Sequence, residues 1–260
     1  MPIPKEQVEA ALSRAFLCGG ALRKEDRQKV LELTPLLHEM ARALPRGRRR
    51  SPLVIVDACA GKAAAGVLFL ALADPQARAR VIALERDDAR QAHALDGARA
   101  LGVHERVELR AGDVADRALW PAGPDLVVAL HACGEASDAI IDVAIATHAK
   151  RLLLVPCCYG AASTRTHDGR ATHVPAQACA DRWASAVGLP RHALVQRRFA
   201  QAVIDAERTL RLEAAGYESE VVEFVAPTVS PHCLLWRARR VGEPVRTREA
   251  ATAYATMRKG

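Results

Sequence analysis

Apolar residues along this chain gather into seven short runs, at 53–56, 80–86, 106–110, 124–130, 151–155, 218–225 and 233–239. Between the runs they recur every three or four positions. The first run, Leu53-Val54-Ile55-Val56, is apolar at every position, as a parallel strand buried on both faces requires. The intervening periodicity predicts helices over 62–73, 87–101, 135–149, 177–187 and 197–215, the last ending at Gly216. Strands alternating with helices imply a mostly parallel seven-stranded α/β sheet with helices on both faces. The last two runs are joined by a short proline-containing connection and predict an antiparallel edge hairpin.

Ahead of the first strand, Val8, Ala11, Leu12, Ala15 and Phe16 recur at helical spacing, and Cys18-Gly19-Gly20 ends that helix. A second helix is expected over 22–44, with a bend at Pro35. The organisation expected is a helical extension with a basic linker (1–50), an α/β domain (51–240) and a polar, frayed tail (241–260). Residues 159–176 have no apolar period and follow the fifth strand. A polar loop at that edge is expected to be a lid or a substrate-reading loop, with a surface insertion as the alternative.

Chemistry concentrates where the strands end. The first run stops at Asp57 and passes through Ala58-Cys59-Ala60-Gly61-Lys62-Ala63 into a helical segment. In doubly wound sheets this is where nucleotide-like ligands bind. The second run ends at Glu85, whose carboxylate can accept both hydroxyls of a ribose. The third is followed by Ala111-Gly112-Asp113. A dinucleotide site would need G-x-G-x-x-G, and this turn holds one glycine. Each acid taken singly also suits a helix N-cap or a turn.

The turn is similar to the D-x-G-x-G-x-G turn of class I S-adenosylmethionine (SAM) methyltransferases. Gly61 matches the central glycine, while Cys59 and Ala63 stand where the outer two would be. The resemblance implies a Rossmann-like sheet and SAM as cofactor, held by Asp57, Cys59, Gly61, Glu85 and Asp113. In that family the acid after the third strand faces the adenine amino group. Two further motifs, His131-Ala132-Cys133-Gly134-Glu135-Ala136-Ser137-Asp138 and Pro156-Cys157-Cys158-Tyr159, narrow the likeness. They resemble a branch containing tRNA acceptor-stem 2′-O-methyltransferases and the methyltransferase domain of glutathione S-transferase C-terminal domain-containing proteins. The zinc-binding segments of the tRNA enzymes have no counterpart here.

Cys59, Cys133, Cys157 and Cys158 fall just past strand ends, with His131 among them and His232 and Cys233 at the last strand. Thiolates and imidazoles are suitable zinc ligands, but no C-x-x-C or H-x-x-x-H spacing forms a clamp, and no metal is expected. The second reading is catalytic. His131, Cys133, Cys158 and Tyr159 line the transfer site, with His131 as general base positioned by Tyr159. The third makes His131 scaffolding and the cysteines small apolar fillers.

Composition adds bounds. Half of the residues are hydrophobic but only 4% are aromatic, so the core is built from Ala, Leu and Val. No apolar run reaches membrane-span length, the N-terminus has no signal-like apolar segment, and seven cysteines do not suggest a secreted disulfide framework. A cytoplasmic protein is expected. The net charge is +7, carried mainly by arginine. Arg46, Arg48, Arg49, Arg50, Arg191, Arg197 and Arg198 suit phosphate contacts, and with the branch resemblance they point to an RNA acceptor, tRNA-like. An alanine- and arginine-rich composition also follows from a GC-rich genome. The alternatives are a small-molecule or protein acceptor, or a SAM-fold binding protein without turnover.

Overall fold

The structure, a computed structural model, describes residues 3–45, 51–73, 78–159, 166–167, 170–171, 176–190, 192–230 and 233–259. Helices α1 (Lys5–Phe16) and α2 (Lys24–Ala43) precede β1 (Leu53–Ala58). There follow α3 (Ala64–Leu68), prolonged by a π turn to Ala73, then β2 (Ala79–Glu85), α4 (Asp88–Ala100), β3 (Val107–Ala111), β4 (Leu126–Cys133), α5 (Glu135–Ala146) and β5 (Arg151–Cys158). The chain closes with α6 (Ala176–Ala186), α7 (Ala193–Ala214), β6 (Tyr217–Glu223), β7 (Leu234–Arg240) and α8 (Pro244–Lys259). A two-residue hairpin, Thr166–His167 against Arg170–Ala171, follows β5.

The seven main strands form one sheet in the order β3-β2-β1-β4-β5-β7-β6. The first five pair in parallel, β7 pairs antiparallel with β5 (Arg151 opposite Arg239), and β6 completes the edge hairpin (Tyr217 opposite Arg240). The chain winds outward from β1 to β3, then returns across β1 to begin β4. The two halves therefore separate between β1 and β4, and their carboxyl ends open a crevice there.

Period-two alternation divides each central strand between two cores. Ile55 and Val81 face α1 to α4, while Val56 and Ile82 face α5 and the final hairpin. On the first side Leu33, Leu36, Leu37 and Met40 of α2 are fully buried, each stabilising by about 1.5–3 kcal/mol. The expected N-terminal extension is thus one wall of the core. Pro35 sits inside α2, which continues through it.

The expected frayed tail is likewise corrected, because residues 244–259 form α8 against α7. Polar contacts hold it. Trp183 Nε1 of α6 donates to the Met257 carbonyl (2.9 Å), and the Tyr254 hydroxyl and Arg258 Nη1 donate to buried Glu207 Oε1 of α7 (3.2 and 3.3 Å). No helix among the described residues is long and apolar enough to cross a membrane.

Candidate active site

The crevice at the carboxyl ends of β1, β2, β3 and β4 has a volume of about 420 Å³. Cys59, Glu85, Asp113, His131 and Cys133 all line it, so the structure gathers residues spread over 75 positions into one wall. Leu84, Val114 and Ala136 supply apolar surface, and Arg86 and Arg90 supply charge.

The turn after β1 holds Cys59, Gly61 and Ala63 in the left-handed region, at φ of 55°, 57° and 52°. These are the three positions at which the sequence pattern had two glycines replaced. The backbone makes the same demand at all three, and Cys59 and Ala63 meet it with short side chains, at about 1–2 kcal/mol each. Two carboxylates hold the turn. Asp57, buried at 2% exposure, accepts from the Gly66 N–H at 2.9 Å in α3. Glu85 Oε2 accepts from the Gly61 N–H at 2.8 Å. Gly66 is required for that seat, since a Cβ there would lie 2.7 Å from Val81 Cγ1 and 3.1 Å from Asp57 Oδ2.

Burial pushes the Asp57 carboxyl up to about 7. The Gly66 N–H and the Lys29 charge oppose the shift, and Glu85 adds to it. Lys29, on α2, is pushed down by burial and by Lys62. Burial, with the charges of Glu85, Asp113 and Asp57, lifts the Cys59 thiol to about 12. Cys59 is therefore a small packing group at working pH, not a nucleophile.

Glu85 Oε1 accepts from the N–H groups of Arg86 (3.0 Å) and Asp87 (3.1 Å). Three of about four acceptor positions are used, so the carboxylate is fixed in direction and keeps capacity toward the crevice. Asp113 Oδ1 accepts from the Ala115 N–H in its own turn at 3.0 Å. Val114 beside it is anchored where Trp120 Nε1 donates to its carbonyl (2.9 Å).

His131 is the extra residue of a β-bulge. Leu130 pairs with Val155 and Ala132 with Pro156, leaving His131 without an opposite number. Its φ is 64°, a left-handed value uncommon outside glycine, and its side chain is 36% exposed. Nε2 lies 2.7 Å from Glu32 Oε2, on α2. The sequence expectation paired His131 with Tyr159, but the Tyr159 hydroxyl donates instead to Asp205 of α7, at 2.8 and 3.0 Å to its two oxygens. Burial, then Asp205, raises the Tyr159 hydroxyl, and burial lifts Asp205 to about 6. Arg208 of α7 lies 5.9 Å over the Tyr159 ring. It also donates to Asp138 Oδ1 (2.8 Å) and to the Gly134 carbonyl at the crevice rim (3.3 Å).

Cys133 lines the crevice in disulfide-bonded form. The backbone of Cys158 closes β5. Its side chain, that of Cys157, His232, Arg191, the basic stretch 46–50 and most of the 159–176 loop lie outside the described residues. Among the described residues no group of three or more His, Cys, Asp and Glu is arranged to hold a metal ion.

Glu32, Val114, Arg86 and Arg90 were not singled out in the sequence. Glu32 lies among leucines on the core side of α2. A buried acid within an apolar helical face is the one signal that could have drawn attention to it.

A parallel sheet in this order, with a nucleoside-sized crevice beside its switch point, defines a Rossmann-like methyltransferase fold. The chain belongs to the methyltransferase-domain family, whose model matches residues 27–165, from within α2 to beyond β5. It is a SAM-dependent methyltransferase, and its cofactor is S-adenosyl-L-methionine. Among solved structures it is similar to magnesium protoporphyrin IX methyltransferase from Synechocystis PCC 6803, at 13% identity and a TM-score of 0.50, over 92% of this chain and 100% of that one. Precorrin-6y C5,15-methyltransferase from Geobacter metallireducens GS-15 matches at 17% identity and 0.43, over 81% and 89%. An rRNA methylase from Streptococcus thermophilus matches at 10% and 0.47, over 85% and 99%. No curated protein matches the chain.

Proposed function

We propose that the crevice holds SAM and that the chain transfers its methyl group to an RNA acceptor, tRNA-like. Glu85 accepts from the ribose hydroxyls, Asp113 from the adenine amino group, and the turn from Asp57 through Cys59, Gly61 and Ala63 lies along the methionine portion. The residues fit such a ligand: Glu85 keeps acceptor capacity on the crevice side, and Val114 and Leu84 offer an apolar wall. Bound SAM supplies a methyl group already activated on a sulfonium. What remains for the protein is to orient the acceptor, exclude water and take a proton from it. His131 at the β4 end is the residue offered for that proton. Tyr159 and Arg208 brace the acceptor side by tying β5 and the β4–α5 turn to α7. Cys133, as a disulfide, and Cys158 belong to the surrounding wall in this reading.

The observation that carries the RNA reading is the placing of α7. Its C-terminal part is tied to the crevice rim through Arg208 and Gly134, and about three turns earlier it carries exposed Arg197 and Arg198. Ten residues of helix span roughly 15 Å, so these guanidinium groups suit phosphates a few nucleotides along a backbone whose reactive nucleotide enters the crevice. The linker arginines Arg46, Arg48, Arg49 and Arg50 add charge to the chain.

Incubation with methyl-labelled SAM and separated RNA, protein and metabolite pools tests this directly. Label is expected in the RNA pool, with retention falling steeply as salt rises because arginine–phosphate contacts release counterions. The double variant Arg197→Ala, Arg198→Ala should weaken retention and flatten the salt slope. Label confined to metabolites or protein would replace the RNA reading with the alternative acceptor. SAM binding with no labelled product would make this a binding protein of the same fold.

A further inference from the structure

We infer that Glu32 of α2 is a positioning residue for His131, holding its imidazole as the tautomer protonated on Nε2. The inference rests on the proposed role of His131 at the transfer site and adds to it a residue from outside the α/β sheet.

The contact is short, 2.7 Å between Glu32 Oε2 and His131 Nε2, and it joins residues 99 positions apart. The Glu32 side chain is only 4% exposed. A carboxylate can only accept a hydrogen bond, so facing a neutral imidazole it selects the tautomer with the proton on Nε2 and leaves Nδ1 with the lone pair. That is the state a general base needs.

The helix around the contact is immobilised. Leu33, Leu36 and Leu37 follow Glu32 on α2 and are fully buried. Glu32 cannot move away without unseating part of the core. On the other side His131 stands in a bulge at φ 64°, a conformation that persists only where surroundings over-determine it. Bulges re-aim side chains, and this one places His131 on the crevice wall while Glu32 holds its Nε2. A pin serving only to dock α2 on the sheet would not need a carboxylate. Burying an ion there is costly, and an apolar pair would serve as well or better. The other charged groups nearby are Lys29, one turn earlier on α2, and Glu85, Asp113, Glu135, Arg86 and Arg90 on the crevice walls.

Side-chain ¹⁵N spectra of the full chain at alkaline pH test the tautomer, with His131→Ala identifying the signal. The wild type is expected to show His131 with its proton on Nε2. Glu32→Gln, whose amide can either donate or accept, should convert it to a mixture, and Glu32→Asp, which keeps the charge, should restore much of the wild-type pattern. A wild-type proton on Nδ1, or an unchanged tautomer in a folded Glu32→Gln, would overturn the inference. In the RNA assay Glu32→Gln should lower kcat about tenfold or more. Its dissociation constant for SAM, measured by calorimetry, should stay within about twofold of the wild type. Full kcat with a scrambled tautomer would reduce Glu32 to a structural contact. If the wild type labels no pool at all, the methyl-transfer reading fails, and the spectra alone then decide the placement of His131.

Discussion

Two sites at the carboxyl edge of the sheet, the β1–α3 turn and the bulge near the end of the adjacent strand β4, both hold non-glycine residues in left-handed backbone. In the first, Cys59 and Ala63 are small, and the strain is held locally by Asp57 on Gly66 and Glu85 on Gly61. In the second, His131 is large and titratable, and its side chain is held from α2, 99 residues away. The first turn shapes backbone around a ligand. The bulge presents a functional group. A motif of glycines therefore states a demand on φ that other small residues can meet, whereas placing a histidine requires a partner that local sequence does not contain.

The sharpest way to break the first turn is to fill it. Gly66→Val would drive a side chain into Val81 and Asp57, and overpacking of this kind costs about 3 kcal/mol. Thermal melting should show that loss, with SAM binding falling in parallel; a variant as stable as the wild type would refute the role given to Gly66.

A second test uses pH. The Asp57 carboxyl is raised from 3.8 to about 7 in the folded state. The folded chain thus keeps a proton that the unfolded chain has given up above about pH 4. The stability contributed is full below that pH, falls as pH rises toward 7, and is lost above it. Across that window the change is about 4 kcal/mol by linkage. Asp57→Asn keeps an acceptor for Gly66 and should abolish this component, gaining on the wild type at pH 8 relative to pH 5. Parallel pH profiles of urea unfolding would refute it.

The two sites should also separate by ligand. Glu85→Ala removes a charged acceptor and should weaken SAM binding by about 1–3 kcal/mol in calorimetry. His131→Ala should leave that affinity within a few-fold while slowing methyl transfer. If both variants lose SAM equally, the two sites do not divide the work as proposed.

The smallest effect is Ala63→Gly. Relief of left-handed strain, about 1–2 kcal/mol, is offset by backbone entropy and the loss of a buried methyl. A net change within about 0.5 kcal/mol of zero is expected, where the same change at an ordinary helical alanine would cost up to about 1 kcal/mol. A large destabilisation would mean the turn does not need φ near 52° at this position.

Much of the scaffold was readable because its signals are local. Continuous apolar runs marked β1, β4 and β5. The acids that end or follow β1, β2 and β3 marked the crevice, since a parallel sheet brings those ends together whatever the loops do. The final hairpin was readable from two apolar runs and a short connection. Where the reading erred, the decisive contacts were distant or polar. Helix α8 buries mainly Ala250 and docks through Tyr254, Arg258 and a backbone carbonyl, so no apolar stripe announced it. Tyr159 lay in the motif next after that of His131, yet its hydroxyl is claimed by Asp205, 46 residues on.

By itself the sequence determined the alternation of strands and helices, the order of acids along the strand ends and the basic excess, because hydrophobic period and residue type act over a few positions. Only the tertiary structure decided that α1 and α2 close one face of the core, that Cys59 and Ala63 adopt glycine-like backbone, and that His131 faces Glu32. Each depends on which surfaces meet when the chain folds, and a side chain's partner across 99 residues is fixed by packing geometry that no local pattern encodes.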